Sequence, residues 1–202
     1  MNSPFTQVVL ILIIAYLFYL WFSDYRTNQA GKTQSGALPG AFPCNQNLIW
    51  LAVAGAFMLV AAETVGELAL DISQEQSAIT ILFGLVTLAS GFGEELVFRG
   101  YLVIQNKGKI VLWLSIWGFS LVFACAHPFL WSWEQGKVDF HMTEKAGFST
   151  LIVFLNSLWF YFMRFNRANP SRSLWPCIAA HVASNLAVVL VKLFQGHVVG
   201  IV

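Results

Sequence analysis

Glu94, Glu95 and Arg99 lie in a stretch that is otherwise apolar, between Leu85-Val86 on one side and Leu102-Val103-Ile104 on the other. Ionisable side chains in such a setting cost a few kcal/mol each to place in hydrocarbon, so each needs a reason to be there. On a helix, Glu95 and Arg99 are four residues apart, share a face and stand in the favourable acid-before-base order. Glu94 is rotated about 100° from Glu95 and is expected to point elsewhere, without a counter-charge. A carboxylate so placed is suited to take a proton from a reacting group and give it back. Both carboxylates could equally serve a buried ion network.

Two further groups carry polar chemistry into apolar stretches. Phe123 and His127 are spaced to share a helix face, and Pro128 marks a helix end. His181 and Asn185, again four apart, present two hydrogen-bonding groups to one place. Taken singly, a histidine at a helix end is an interfacial residue, and a His or Asn inside a span bonds a neighbouring helix. Taken together, a base-capable glutamate, two histidines and an asparagine are the parts for activating a water and holding an oxyanion. Glu94, His127 and His181 could also ligate a divalent metal such as zinc. The helical zinc-protease pattern His-Glu-x-x-His is absent, and the three cysteines (Cys44, Cys125, Cys177) form no spacing motif.

The elements that must position these residues are membrane helices. The chain has 202 residues, 57% apolar and only 10% charged, a composition of polytopic membrane proteins rather than soluble domains. Six apolar stretches, at about 4–22, 47–66, 78–105, 110–127, 146–164 and 174–195, are each long enough to cross hydrocarbon, where backbone satisfaction forces helices. The expected fold is therefore an all-α membrane protein, a polytopic bundle of about six transmembrane helices. Its first two helices and polar linker occupy 1–77, and a four-helix catalytic core occupies 78–202. The first span lacks a positive leader and is read as retained. Ser23–Asn45 reads as an exposed linker, and Pro128–Lys145, with Trp131 and Trp133, as a loop or short helix at the interface. Loops one, three and five hold Arg26, Lys32, Lys107, Lys109, Arg164, Arg167 and Arg172, whereas loops two and four hold only Lys137 and Lys145. The positive-inside rule puts the former in the cytoplasm and both termini outside. The net charge of +1, with no basic cluster, gives no footing for nucleic acid.

The ordered triplet Glu-Glu-x-x-x-Arg at 94–99, Phe-x-x-x-His at 123–127 and His-x-x-x-Asn at 181–185 resembles the three motifs of the CAAX protease and bacteriocin-processing (CPBP, or Abi) family of intramembrane glutamic-type endopeptidases, which includes the type II CAAX prenyl endopeptidases. The resemblance covers about 78–195 and leaves the first two helices outside. It implies that Glu94 is the catalytic base, activating water with His127, and that His181 and Asn185 form the oxyanion hole. Glu95 with Arg99 would be the supporting ion pair. It further implies no cofactor, a substrate that is a membrane-associated protein or peptide (a CAAX tail, a C-terminal anchor or a leader), and residence in the bilayer, with a bacterial inner membrane expected. The oligomeric state is open. The rival readings are a non-proteolytic membrane scaffold or bacteriocin-immunity protein, and a proton-coupled small transporter in which Glu94 and the histidines relay protons.

Depth poses a difficulty. At about 1.5 Å per residue, Glu94 lies roughly 16 Å from the third loop, His127 roughly 25 Å, and His181 only about 10 Å from the fifth. Convergence is expected through a long third helix reaching past Ile104. Of the remaining polar residues, Glu63 and Glu67 share a face of the second span, lining a cavity or marking its outer end, and Asn156 is expected to bond a neighbouring helix.

Overall fold

The computed structural model describes residues 3–32, 35–134 and 136–202. Among them are six helices long and apolar enough to cross a membrane: α1 (Pro4–Gln29), α2 (Gln46–Ala69), α3 (Ile81–Glu94, continued by a π-helical segment over Glu95–Leu102), α4 (Lys109–Ala126), α5 (Glu144–Phe165) and α6 (Trp175–Phe194). The all-α bundle is thus the observed fold, and the protein is an integral, multi-pass membrane protein. Local chemistry sets the starts. Pro4 and Pro176 stand in the first turns of α1 and α6, where no N–H is missed. The Asn45, Thr80 and Thr143 side chains accept from backbone N–H groups at the starts of α2, α3 and α5.

Three expectations need correction. Helix α1 runs past Phe22 to Gln29, and its polar last turns tie the linker down. Asp24 Oδ2 accepts from the Leu38 N–H at 2.8 Å, while Trp21 Nε1 and Asn28 Nδ2 donate to the Pro39 and Ala41 carbonyls at 3.0 and 2.8 Å. This part of the linker is a folded strap rather than a free loop. Next, the stretch after α4 is a β-hairpin, not a loop or short helix. Strand β1 (Trp131–Glu134) pairs antiparallel with β2 (Lys137–Phe140), with Trp131 opposite Phe140 and Glu134 opposite Lys137. Aromatic and β-branched residues suit a pleated surface, and Gly136 supplies the left-handed backbone (φ 80°) that the two-residue turn needs; Gln135 lies outside the described residues. Third, the helix through Glu94 stops at Leu102 instead of reaching past Ile104.

Helix α2 packs on α6 and α5, α1 on α3, and α4 on α5. One apolar core runs through α1, α2, α3, α5 and α6, including Trp21, Ala52, Phe92, Phe160 and Ile178. Close approach of α2 and α5 rests on two glycines three turns apart. A Cβ on Gly55 would sit 2.1 Å from the Trp159 ring, and one on Gly66 2.5 Å from Phe148. Small residues at such contacts are how membrane helices gain packing where lipid offers no hydrophobic drive. The C-terminal tail closes the start of α3: Gly200 and Ile201 carbonyls accept from Ile81 and Leu82 N–H at 3.3 and 2.9 Å, bonds the first helical turn cannot make for itself.

Candidate active site

The π-helical segment begins at Glu95, at the point where the charged residues enter the bundle. Such segments are rare and concentrate at functional sites. A wider turn also advances the chain less per residue, so Glu94 lies at a depth that His181, six residues into α6, can reach without a longer helix. This removes much of the depth difficulty.

Glu95 and Arg99 are completely buried and form the expected ion pair, Nη1 to Oε1 at 3.1 Å. The guanidinium is held from the other side by α5 and α4: Nη2 donates to Ser157 Oγ at 2.6 Å and to the Ser157 carbonyl at 3.2 Å, and Ser157 Oγ donates to Ser120 Oγ at 3.0 Å. Aromatic faces complete the cage, with Phe123 and Tyr161 at 4.5 and 4.7 Å from the guanidinium carbon. Tyr161 Oη in turn donates to the Phe98 carbonyl of the π segment at 2.9 Å.

The two glutamates do not point to unrelated places, as one helix face each would suggest. His181, buried on α6, bridges them. Its Nδ1 is 2.7 Å from Glu95 Oε1, and its Nε2 is 3.7 Å from Glu94 Oε2. Long flexible carboxylate side chains reach the two edges of one imidazole despite their different starting directions. Since a carboxylate only accepts, Nδ1 carries the proton, and that fixes which nitrogen faces Glu94. The ring stacks on Phe160 at 4.8 Å between centroids. Glu95 is therefore more than the partner of Arg99: it also orients the His181 ring, turning Nε2 toward Glu94.

Both glutamates have a buried Oε2 without a hydrogen-bond partner; Glu94 differs from its neighbour in that its side chain is 34% exposed while that of Glu95 is fully buried. A carboxylate with one oxygen turned inward to an imidazole and the rest reachable is poised for proton transfer. Asn185, one turn beyond His181, donates through Nδ2 to the Thr87 carbonyl of α3 at 2.7 Å, tying the two motif-bearing helices together. An amide carries two such protons, so one donor remains for another group. Gly91 faces both: a Cβ there would stand 3.5 Å from Asn185 Nδ2 and from the His181 ring.

His127 follows the last residue of α4, as Pro128 implies, and is half-buried. Its Nδ1 donates to the Phe123 carbonyl at 2.8 Å, and it makes no ion pair with either glutamate. The Phe123 ring lies between the histidines, 4.8 Å from His127 and 5.9 Å from His181. Among the described residues, no three His, Cys, Asp or Glu side chains are grouped to hold a metal ion, so Glu94, His127 and His181 are not gathered as a ligand set.

Of the two places expected for Glu67, the structure has the outer end of the span, where it pairs with Lys145 of α5 and accepts from Gln76 Nε2 at 2.6 Å. Two other residues are placed differently from the reading of the sequence. Asn156 is buried with its Oδ1 unbonded rather than tied to a neighbouring helix. Arg164, counted with loop five, is a buried residue in the last turn of α5. Ser120, Ser157 and Tyr161, which hold Arg99 and the π segment, belong to no motif in the sequence; the two serines leave the one trace, as hydroxyls inside spans.

A family model described as type II CAAX prenyl endopeptidase Rce1-like matches residues 76–187, more than half of the chain. The protein belongs to this family. Comparison with curated proteins and with solved structures found no match. The Rce1-like region takes in the whole of the three motifs and ends two residues after Asn185. Membership of the Rce1-like family implies a peptidase of the CAAX type, working within the membrane.

Proposed function

We propose that the protein is an intramembrane endopeptidase in which Glu94 is the base that activates the attacking water. In this reading, water adds to the scissile carbonyl carbon as Glu94 takes its proton. The oxyanion forms against Nε2–H of a His181 imidazolium and against the second amide proton of Asn185; with Glu94 now protonated, the oxyanion and Glu95 balance the imidazolium and Arg99. Glu95, Arg99 and His181 with an ionised Glu94 sum to zero charge, so the site can hold imidazolium without a net buried charge. Collapse of the intermediate breaks the C–N bond, and Glu94 returns its proton to the leaving nitrogen, giving one new carboxyl and one new amine. His127, whose Nε2 is left free by the Phe123 bond, is assigned to the water from the far side of the Phe123 ring. No step is routed through a metal.

The observation that carries this reading is the buried, unbonded Oε2 of a partly exposed Glu94 facing the Nε2 edge of an imidazole that Glu95 holds by its Nδ1 edge. Glu94 and His181 sit toward the end of the bundle that carries loops three and five, which supports cleavage near that surface, the cytoplasmic one by the charge rule. The substrate class proposed is a membrane-associated peptide, with a prenylated CAAX tail as the first probe. Protein reconstituted in lipid vesicles should cut a farnesylated CAAX peptide at one bond, seen as a single new C-terminus by mass spectrometry, with no loss of rate in chelator. Chelator-sensitive cutting with stoichiometric zinc would contradict the metal-free chemistry, and an uncut peptide would contradict the substrate class.

A further inference from the structure

The β-hairpin after α4 sorts its side chains by face. Residues two apart on a strand point the same way, and residues directly opposite across a pair share a face. With Trp131 opposite Phe140 and Trp133 opposite Val138, four apolar side chains stand on one side. Ser132, opposite Asp139, stands on the other side, together with Lys137. There Ser132 Oγ and His141 Nε2 hydrogen-bond at 2.8 Å. The bundle leaves the apolar face open: Trp133 and Phe140 are 66 and 72% exposed. A two-stranded hairpin is at best marginally stable in water, so such a face calls for an apolar covering. It is held only at its root. Trp131 Nε1 donates to the Cys125 carbonyl in the last turn of α4 at 2.8 Å, and the Phe129 ring stacks on His127 with 6.0 Å between centroids.

The connections of the hairpin place it at a membrane surface. Four residues, 127–130, lead in from the end of α4, and three, 141–143, lead out to α5. Helix α4 has 18 residues. At 1.5 Å each that is about 27 Å, no longer than the roughly 30 Å of hydrocarbon it crosses. The hairpin therefore starts at the hydrocarbon boundary and not on a stalk above it. Tryptophan is enriched at that boundary, its ring toward the acyl chains and its N–H toward the polar layer. The helix leading in also turns Trp117, Leu121 and Val122 outward. On the polar face Lys137 and Asp139 are exposed with opposite signs, which offers apolar burial, and no attraction to anionic lipid, as the force that holds the hairpin down.

We infer that the hairpin is a membrane-surface anchor. Its Trp131, Trp133, Val138 and Phe140 face is buried in the boundary between headgroups and acyl chains of the leaflet at the α4–α5 turn, and its Ser132, Lys137 and Asp139 face meets water. The partner is the lipid itself, zwitterionic or anionic alike. Through the Trp131–Cys125 bond and the Phe129 stack, the anchor holds the last turn of α4, and with it His127, at a fixed depth. The anchoring holds whether or not the protein cuts peptides.

The test measures the depth of two neighbouring positions in protein reconstituted in phosphatidylcholine vesicles. Cys44→Ala and Cys125→Ala remove the reachable thiols, and the fully buried Cys177 stays in place. Val138→Cys and Asp139→Cys, one on each face, then carry a nitroxide spin label. Relaxation by oxygen reports lipid, and relaxation by a soluble nickel chelate reports water. The label at 138 should respond more to oxygen and lie about 5–10 Å into the boundary, the depth of an interfacial amphipathic element. The label at 139 should respond more to nickel. Met142→Cys and Lys137→Cys, the next positions on the same two faces, repeat the comparison if a member of the first pair fails to fold. Adding Trp133→Asp and Phe140→Asp should bring the label at 138 out to nickel, and replacing part of the lipid with phosphatidylglycerol should leave both depths unchanged. A label at 138 as open to nickel as the one at 139 overturns the inference. So does a label screened from both reagents and broadened by a neighbouring spin, the mark of a second copy on this face, or insertion that occurs only with anionic lipid.

Discussion

Two carboxylate clusters are sunk into this bundle, one at each end, and they are built on opposite principles. At the α2–α5 end, Glu67 is buried and fully engaged, one oxygen on Lys145 and the other on Gln76. At the α3–α6 end, Glu95 is fully buried and engaged twice through one oxygen, by Arg99 and His181, and Oε2 of both Glu95 and Glu94 is buried with no hydrogen bond, but the Glu94 side chain is 34% exposed. In the first cluster both oxygens of Glu67 are bonded, and such pairing fixes helices together. The second anchors one carboxylate through a single oxygen and leaves the other reachable beside it. Desolvating a charge without a bond has a cost, and the cage of Arg99, Ser157, Tyr161 and Phe123 is what offsets it. Charge inside a membrane span is thus not by itself a sign of catalysis; an unmatched one held by matched neighbours is.

This contrast can be broken in graded steps. Arg99→Leu leaves Glu95 buried with only an imidazole, and should cost about 3–5 kcal/mol of stability together with the activity. The double variant Glu95→Leu/Arg99→Leu should regain stability in a detergent melt without regaining cleavage, because His181 then lacks its orienting partner. At the other end, Glu67→Gln should lower stability by about 3 kcal/mol, the cost of stranding a mostly buried lysine. Below its melting temperature, its cleavage rate should stay within about twofold of wild type, the range of effects expected away from the site. A large loss of rate would make the two ends one coupled system and remove the contrast. Smallest in stability is Tyr161→Phe, which deletes the bond to the Phe98 carbonyl. The expected cost is about 1 kcal/mol, read as a shift in the melting midpoint, with a modest fall in kcat if the π segment loosens.

Much of this was legible in the sequence, and what was not has a physical reason. The six spans follow from hydropathy and length, and the structure keeps each within a few residues except α1. There the polar turns past Phe22 remain helical because Asp24 and Asn28 find partners in the strap. The Glu95–Arg99 pair follows from spacing within one helix. The bridge by His181 does not, because it depends on how α6 packs against the π segment, and nothing in residues 95–102 announces a change from α to π winding. The strand pattern of Trp131 to Phe140 was available in the alternation about Gly136, but its tryptophans were read as interfacial anchors. Arg164 reads as a loop charge in the sequence because hydropathy places helix ends only to within a turn, whereas in the structure it is a buried cation in the last turn of α5, one turn from Phe160.

The most direct test of the central claim uses the two glutamates that the contrast separates. Glu94→Gln and Glu67→Gln, each nearly isosteric, are reconstituted in the same vesicles, and cleavage of the farnesylated CAAX peptide is measured beside the melting temperature of each protein. Glu94→Gln should melt within a degree or two of wild type and lose at least about 10²–10⁴ in rate, the contribution of a general base, whereas Glu67→Gln should melt earlier and cut normally. A Glu94→Gln protein that cleaves at the wild-type rate would contradict the assignment and return the pair to a buried ion network.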